Sequence, residues 1–331
     1  GPANNYFYSR RIGARPPGFA SGDYVEAPTS STILGAAKLT GRLPSGTSIG
    51  VLAAVTGQEY AKTFQAATEA FDEVRVAPQT TWGVARVQQE FGAEGSTASL
   101  MVTGVHRELA TGDALATRMP RNAMTVNGET LWRLGNSTYE VSLSGGLSRV
   151  DGEKEAILRL QRASTRYFQR PDASHVEVDP ERTTLGGSKA TLRAEKISGA
   201  HWLWTINADL ESPEVEFNDL GRITTGDGVA LRPSLTYREA TPGRVFRNYR
   251  LSLNPNTEWN LAWERQQTAI SSRASVTWNN FWTTRVSTRF NLHSQNQRLT
   301  RGGPSMGTGH GWSTTIDLAN SSAAETRWNF G

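Results

Sequence analysis

The chain has 331 residues, of which 37% are hydrophobic, 20% charged and none cysteine, with a mean hydropathy of -0.48. No run approaches the ~18 apolar residues that a membrane-crossing helix needs, and without cysteine there is neither a disulfide framework nor thiolate chemistry. Thirty-five Lys and Arg stand against 31 Asp and Glu, a net charge of +4; the arginines are dispersed, which argues against a nucleic-acid partner.

The opening "GPANNYFYSRRIG" carries no signal-peptide pattern. It reads as a trimmed start, with Gly1 and Pro2 resembling a tag scar and residues 1–30 forming a lead-in segment. Strands are expected near 33–42 and 47–57, then near 80–91 and 97–107, although these alternate imperfectly. Between the pairs, "EYAKTFQAATEAFDEVR" (59–75) is assigned to a long loop. The stretch "GEKEAILRLQRASTRYF" (152–168) is the best helical candidate, and a short helix is expected at "PEVEFNDLGR" (213–222).

Later strands alternate cleanly, because side chains on a strand point to opposite faces with period two. "HWLWTINADL" (201–210) puts Trp202, Trp204, Ile206, Ala208 and Leu210 on one face and His201, Leu203, Thr205, Asn207 and Asp209 on the other. The same division recurs in 139–149, 229–238, 258–264, 270–279 and 282–293. About fourteen strands emerge in all. Tight turns such as "LPSG" (43–46), "GAEG" (92–95) and "LGNS" (134–137) alternate with long segments near 58–79, 108–121, 150–183 and 212–227. That regularity fails after residue 244, where "NPNT" and "WNN" break the parity.

Alternation alone does not say which face points inward. Three features favour an outward apolar face. The apolar faces are poor in bulk, aromatics sit near strand ends, and the strands are long enough for a tilted bilayer crossing of ~9–11 residues. The expected fold is therefore all-β: a transmembrane antiparallel up-and-down β-barrel of about fourteen or more strands over 1–331, with short helices in its loops, belonging to a longer chain, its closure within this segment left open. Tyr139, Trp202, Tyr237, Trp259, Trp278, Trp282 and Trp312 would form the lipid-interface girdle. Arg232, Arg238, Arg273, Arg285 and Arg289, with Asp209, Glu140, Glu258 and Glu264, would face the lumen, either as a ladder of ion pairs or as a path for anionic solutes.

Several stretches carry a resemblance: "FYSRRIG" (7–13), "ILGAAKLTGR" (33–42) followed by "SIGVLAAVT" (48–56), "RYFQRPDA" (166–173), "FNDLGR" (217–222) and "LTRGGP" (299–304). In this order they resemble a bacterial outer-membrane β-barrel family of unknown function, found C-terminal to carbohydrate-binding-family-nine-like domains. The resemblance implies a Gram-negative-type outer membrane, lipid and lipopolysaccharide as partners, and other proteins of an outer-membrane complex. It also implies a glycan connection through the associated domain, which this chain lacks.

Motifs for chemistry are weak. The five histidines, His106, His175, His201, His293 and His310, have no paired-ligand spacing, and neither a metal nor a cofactor is expected. Ser48 and Ser305 match G-x-S-x-G, but no helix follows either one to form a nucleophile elbow. Glu211 with Glu214, and Glu216 with Asp219, are carboxylate pairs that read as solvated connections rather than a glycosidase pair. The expected function is thus non-enzymatic: solute or polymer transport, or surface anchoring. The alternative is a soluble all-β carbohydrate-binding module or glycan-active hydrolase.

Overall fold

A computed structural model describes residues 6–321 and 323–331. After a 3-10 turn at Ser9–Arg11, the strands in the first half are β1 (Tyr24–Glu26), β2 (Ile33–Arg42), β3 (Thr47–Thr56), β4 (Glu59–Gln65), β5 (Ala70–Ala77), β6 (Thr80–Phe91), β7 (Ser96–Arg107), β8 (Asn122–Leu134) and β9 (Tyr139–Asp151). One helix, α1 (Lys154–Gln161), follows. Then come β10 (Thr184–Lys196), β11 (Trp202–Glu211), β12 (Gly228–Glu239), β13 (Phe246–Trp259), β14 (Arg265–Trp278), β15 (Thr283–Asn291), β16 (Ser294–Asn296), β17 (Met306–Thr308), β18 (Gly311–Ala319) and β19 (Asn329–Phe330).

Fourteen strands make one antiparallel sheet in the order β19-β18-β15-β14-β13-β12-β11-β10-β9-β8-β7-β6-β3-β2. Strand follows strand, so the tight turns gather at one end and the longer connections at the other. The up-and-down order continues past residue 244, because β13 runs straight through "NPNT" and turns back at Asn260–Glu264. The prolines do leave a mark. Leu231 pairs with Thr257 and Leu235 with Leu253, so Pro233 stands opposite Pro255 and the β12–β13 ladder lapses between them. Neither proline has an N–H to give.

The segment 59–75 is not a loop. Its alternation of Tyr60, Lys62 and Phe64 with Ala61 and Thr63 forms β4, which pairs with β5 and β1 in a separate three-stranded sheet. The helix expected over 152–168 is confined to α1, and no helix forms over 213–222. There, Glu216 accepts from the backbone N–H of Asn218, and Asn218 accepts from that of Ile223. Such local bonds compete with a helical ladder.

The apolar residues Leu143, Leu147, Leu192, Ile206, Leu235 and Leu251 lie on the exposed side of the sheet. The inward side carries Ser144, Gly146, Ser148 and Val150 of β9 and their counterparts. At the loop end of β3 and β6–β10, inserted segments pack onto this inward side. Tyr6, Ile157, Phe168, Val215, Phe217 and Leu220 meet Trp82, Val84, Met101, Val105, Val150 and Leu185 of the sheet in one core. Small residues admit these insertions. A Cβ on Gly146 would lie 2.3 Å from the Tyr6 ring, and one on Gly187 2.3 Å from the backbone of Val215.

This architecture corrects the expectation of a transmembrane β-barrel. Among the described residues the sheet does not close: β2 and β19 are its two ends, and no ladder joins them. All ten residues of β2 are exposed, which leaves one row of backbone N–H and C=O groups unpaired. Hydrocarbon does not tolerate such an edge. The inward side at the loop end is also a packed core rather than a water-filled lumen. The porin-like transport and anchoring role, the outer-membrane location, and the lipid, lipopolysaccharide and outer-membrane-complex partners fall with the barrel, as does the route for anionic solutes. Among the described residues no helix is long and apolar enough to cross a membrane.

Tyr6 yields a test of this packing. Burial pushes its hydroxyl up to about 12, against the lowering effect of a hydrogen bond from Asn127. The folded chain therefore keeps a proton that the unfolded chain releases near the ordinary tyrosine value of ~10. This contribution is complete below pH ~10 and is lost as pH rises toward 12, at a rate of ~1.4 kcal/mol per pH unit. Urea midpoints measured across that window should fall more steeply for the native chain than for Tyr6→Phe; parallel curves would show that Tyr6 is not buried as described.

Candidate functional site

Three insertions meet on the inward side at the loop end: residues 162–183 after α1, residues 212–227, and residues 292–310. Helix α1 starts with Glu155 in its first turn and ends with Arg159 in its last, the arrangement that the helix dipole favours. It buries Ala156, Ile157 and Gln161 on one side. Gln161 then exchanges two bonds with the Asp179 backbone, at 2.8 and 2.7 Å, and so folds the following loop back on itself.

That loop delivers two arginines into the interior. Arg166 pairs with Glu216 at 2.8 Å, with side chains only 1% and 3% exposed. Arg170 pairs with Asp227 at 3.3 Å, at 1% and 2%. Asp227 also receives the Gln297 amide at 3.1 Å and the backbone N–H of Leu261 at 3.1 Å, and it lies 2.9 Å from His175 Nε2. Gln297 in turn accepts from Arg170 and from Asn260. Further along the sheet, Arg107 holds Asp219. A carboxylate this deep survives only with such a full set of partners.

Beside this network lies a polar cleft of about 340 Å³. Its walls come from β13 (Glu258), β14 (Gln267), β15 (Asn291), β16 (Ser294, Asn296), Arg298 and β17 (Thr308). Register puts the first three on one face: Glu258 stands opposite Gln267, and Asn291 opposite Ala269, two residues along from Gln267. Each amide is oriented through its carbonyl oxygen. Gln267 accepts from Asn256 at 3.1 Å and Asn291 from Arg289 at 2.9 Å. Asn296 accepts from the backbone N–H groups of Arg298 and Leu299 at 2.9 and 3.2 Å. Among the described residues their three NH₂ groups have no protein acceptor. Glu258 is held by Arg298 at 3.2 Å and retains acceptor capacity. Asn256 has a buried carbonyl oxygen without a partner beside Gln267. The cleft therefore offers several positioned donors together with a carboxylate acceptor.

The charged residues singled out from the sequence are dispersed along the sheet. Asp209 pairs with Arg232 and accepts from Thr191; Glu140 pairs with Arg133 at 3.0 Å. Arg238 donates to the Gly199 carbonyl and Arg273 to the Ser287 hydroxyl. Arg285 is exposed and stands opposite Asp317 in register. Glu264 bonds Asn260. Only Glu258, and Arg289 through Asn291, belong to the cleft. Of the aromatics, Tyr139, Trp202, Tyr237 and Trp278 lie near the tight-turn end, with Trp282 in the turn before β15, whereas Trp259 and Trp312 lie at the loop end. Trp202 packs edge-on to Tyr237, with ring centroids 4.9 Å apart, and remains half exposed.

No nucleophilic or metal constellation forms among the described residues. No three histidine or acidic side chains come together in a metal-holding group. Ser48 lies in β3, and Ser305 donates its backbone N–H to Asp172. Glu211, Glu216 and Asp219 are each committed to a cation, namely Lys189, Arg166 and Arg107. Sequence reasoning missed Gln267, Asn291, Asn296 and the Arg170–Asp227–Gln297 network. The only signal for the network was "RYFQRPDA", which holds both buried arginines.

Fold and site together define an all-β domain, with one large antiparallel sheet whose inward side is fastened by buried ion pairs. The chain belongs to the family of a domain of unknown function, DUF5916, whose model matches residues 3–300. No curated protein and no solved structure matches it. Neither the outer-membrane barrel nor the association with family-nine-like domains that the resemblance implied receives support from these comparisons.

Removing the Asp227 carboxylate strands a buried guanidinium. Asp227→Ala should cost ~3–5 kcal/mol of unfolding free energy, while Arg232→Ala, which breaks a solvent-screened pair, should cost ~0–1 kcal/mol. Urea titration followed by tryptophan fluorescence measures both, and similar losses in the two variants would contradict the burial described here.

Proposed function

We propose that this chain is a non-enzymatic, carbohydrate-binding all-β domain, whose site is the cleft walled by Glu258, Gln267, Asn291, Asn296 and Arg298. The observation that carries this reading is the set of three amide NH₂ groups, each oriented through its own carbonyl and none bonded to another of the described residues. Sugar hydroxyls both donate and accept. Fixed amide donors beside a carboxylate acceptor suit adjacent hydroxyls on a pyranose, and positioned polar groups of this kind set ligand orientation. The family resemblance points the same way, through chains that carry a carbohydrate-binding-like domain.

Hydrolysis is the weaker reading. Glycosidases of the usual kind place two carboxyl groups about 5–9.5 Å apart across the scissile bond. Among the described residues Glu258 is the one carboxyl that lines the cleft, and it is paired with Arg298.

Calorimetric titration against a panel of neutral oligosaccharides checks the assignment. At least one member should bind saturably, and Gln267→Ala combined with Asn291→Ala should weaken it about tenfold or more. Trp202→Ala, on the exposed side at the opposite end of the strands, should leave affinity unchanged. Silence across the panel, or undiminished binding by the double variant, would discard the proposal.

A further inference from the structure

A second cavity, of about 170 Å³, lies at the loop end of β3, β6 and β7, away from the polar cleft. The chain from Arg11 to Pro17 covers it, the ends of β3 and β6 supply Thr56, Thr80 and Trp82, and residues 218–219 close it. Its charge is lopsided. Arg11, Arg15 and Arg107 line it, against Asp219 alone.

Arg107 is spent, since it holds Asp219 and donates to the Pro120 carbonyl at 2.8 Å. Arg11 uses Nε on the Gly221 carbonyl at 3.3 Å, which leaves its terminal nitrogens. Among the described residues neither Arg11 nor Arg15 has an acidic partner. The covering segment is nevertheless fastened: Ser31 donates its backbone N–H and its hydroxyl to the Ala14 carbonyl, both at 3.0 Å, and Gly13 turns the chain with φ +75°.

We infer that this cavity binds a phosphate group, free or carried on a small alcohol or sugar, between Arg11 and Arg15. Two guanidinium groups left after the Arg107–Asp219 pair match the charge of a phosphate dianion, and their planar forks suit its oxygens. The volume admits a phosphate with a few further atoms but no polymer segment. Thr56 and Thr80 stand on the cavity wall, but their hydroxyl protons are already given to the carbonyls of Thr80, at 3.4 Å, and Pro78, at 3.1 Å, so the two arginines carry the recognition.

The test is calorimetry at low ionic strength with inorganic phosphate and, separately, a hexose phosphate as probes. Saturable binding of either is expected, with the tighter of the two identifying the source. Arg11→Ser with Arg15→Ser should weaken it about tenfold or more. Arg15→Ser alone alters an exposed side chain, so a loss there cannot be blamed on misfolding. Arg10→Ser, outside the cavity, should bind like the native chain, and so should the Gln267→Ala, Asn291→Ala variant, which separates this site from the saccharide cleft. Absence of saturable binding by both probes, or equal binding by the double arginine variant, would overturn the inference.

Discussion

A carboxylate that is 2% exposed has to be surrounded, and Asp227 is surrounded by residues from distant places in the chain. Arg170 and His175 come from the loop after α1, Leu261 from the β13–β14 turn, and Gln297 from the segment just after β16. Water would solvate that charge at no structural cost; the interior solvates it only if all these segments arrive together. Asp227 itself takes a positive φ of 66°, which places its side chain where the partners converge. The Arg166–Glu216 and Arg107–Asp219 pairs repeat the arrangement further along the sheet. The inward side is therefore fastened by charge as well as by the core around Phe217 and Ile157.

The cleft depends on that fastening. Gln297, which bonds Asp227, is flanked by Asn296 and Arg298, two of the residues that wall the cleft. The rigid ladder of β13, β14 and β15 sets the other wall, because register alone decides that Glu258, Gln267 and Asn291 share a face. Strands supply accuracy here and insertions supply enclosure. The arginine-lined cavity near β3 and β6 is built the same way, with strand ends below and the Arg11–Pro17 segment above.

Much of the strand framework was legible in the sequence. The alternation in 201–210 and 139–149 marks β11 and β9 to within a residue or two, and the tight turns at 43–46 and 134–137 mark the β2–β3 and β8–β9 hairpins. Where reading failed, local chemistry explains it. The β4–β5 hairpin lacks a glycine turn and reverses at Glu69, a non-glycine residue with φ 50°, so its sequence carries no turn signature. The 213–222 stretch has helical spacing, but Glu216 and Asn218 bond nearby backbone instead. Pro255 looked like a strand breaker; it is tolerated because it faces another proline across the ladder. Of the site, only Glu258 and Arg289, which orients Asn291, were visible. Amide side chains are common on polar strand faces, and nothing in their spacing tells which ones converge.

From the sequence alone come the two-faced strands, their order, the exclusion of membrane-crossing helices and the absence of cysteine chemistry, since each of these rests on residue identity and local periodicity. Whether the sheet closes was beyond its reach. Alternation is the same in an open sheet and in a barrel, and only the pairing of the end strands distinguishes them. The buried network was equally out of reach. Arg170 meets Asp227 across 57 residues and Gln297 across 127, distances over which spacing carries no information and the path of the folded chain decides every contact.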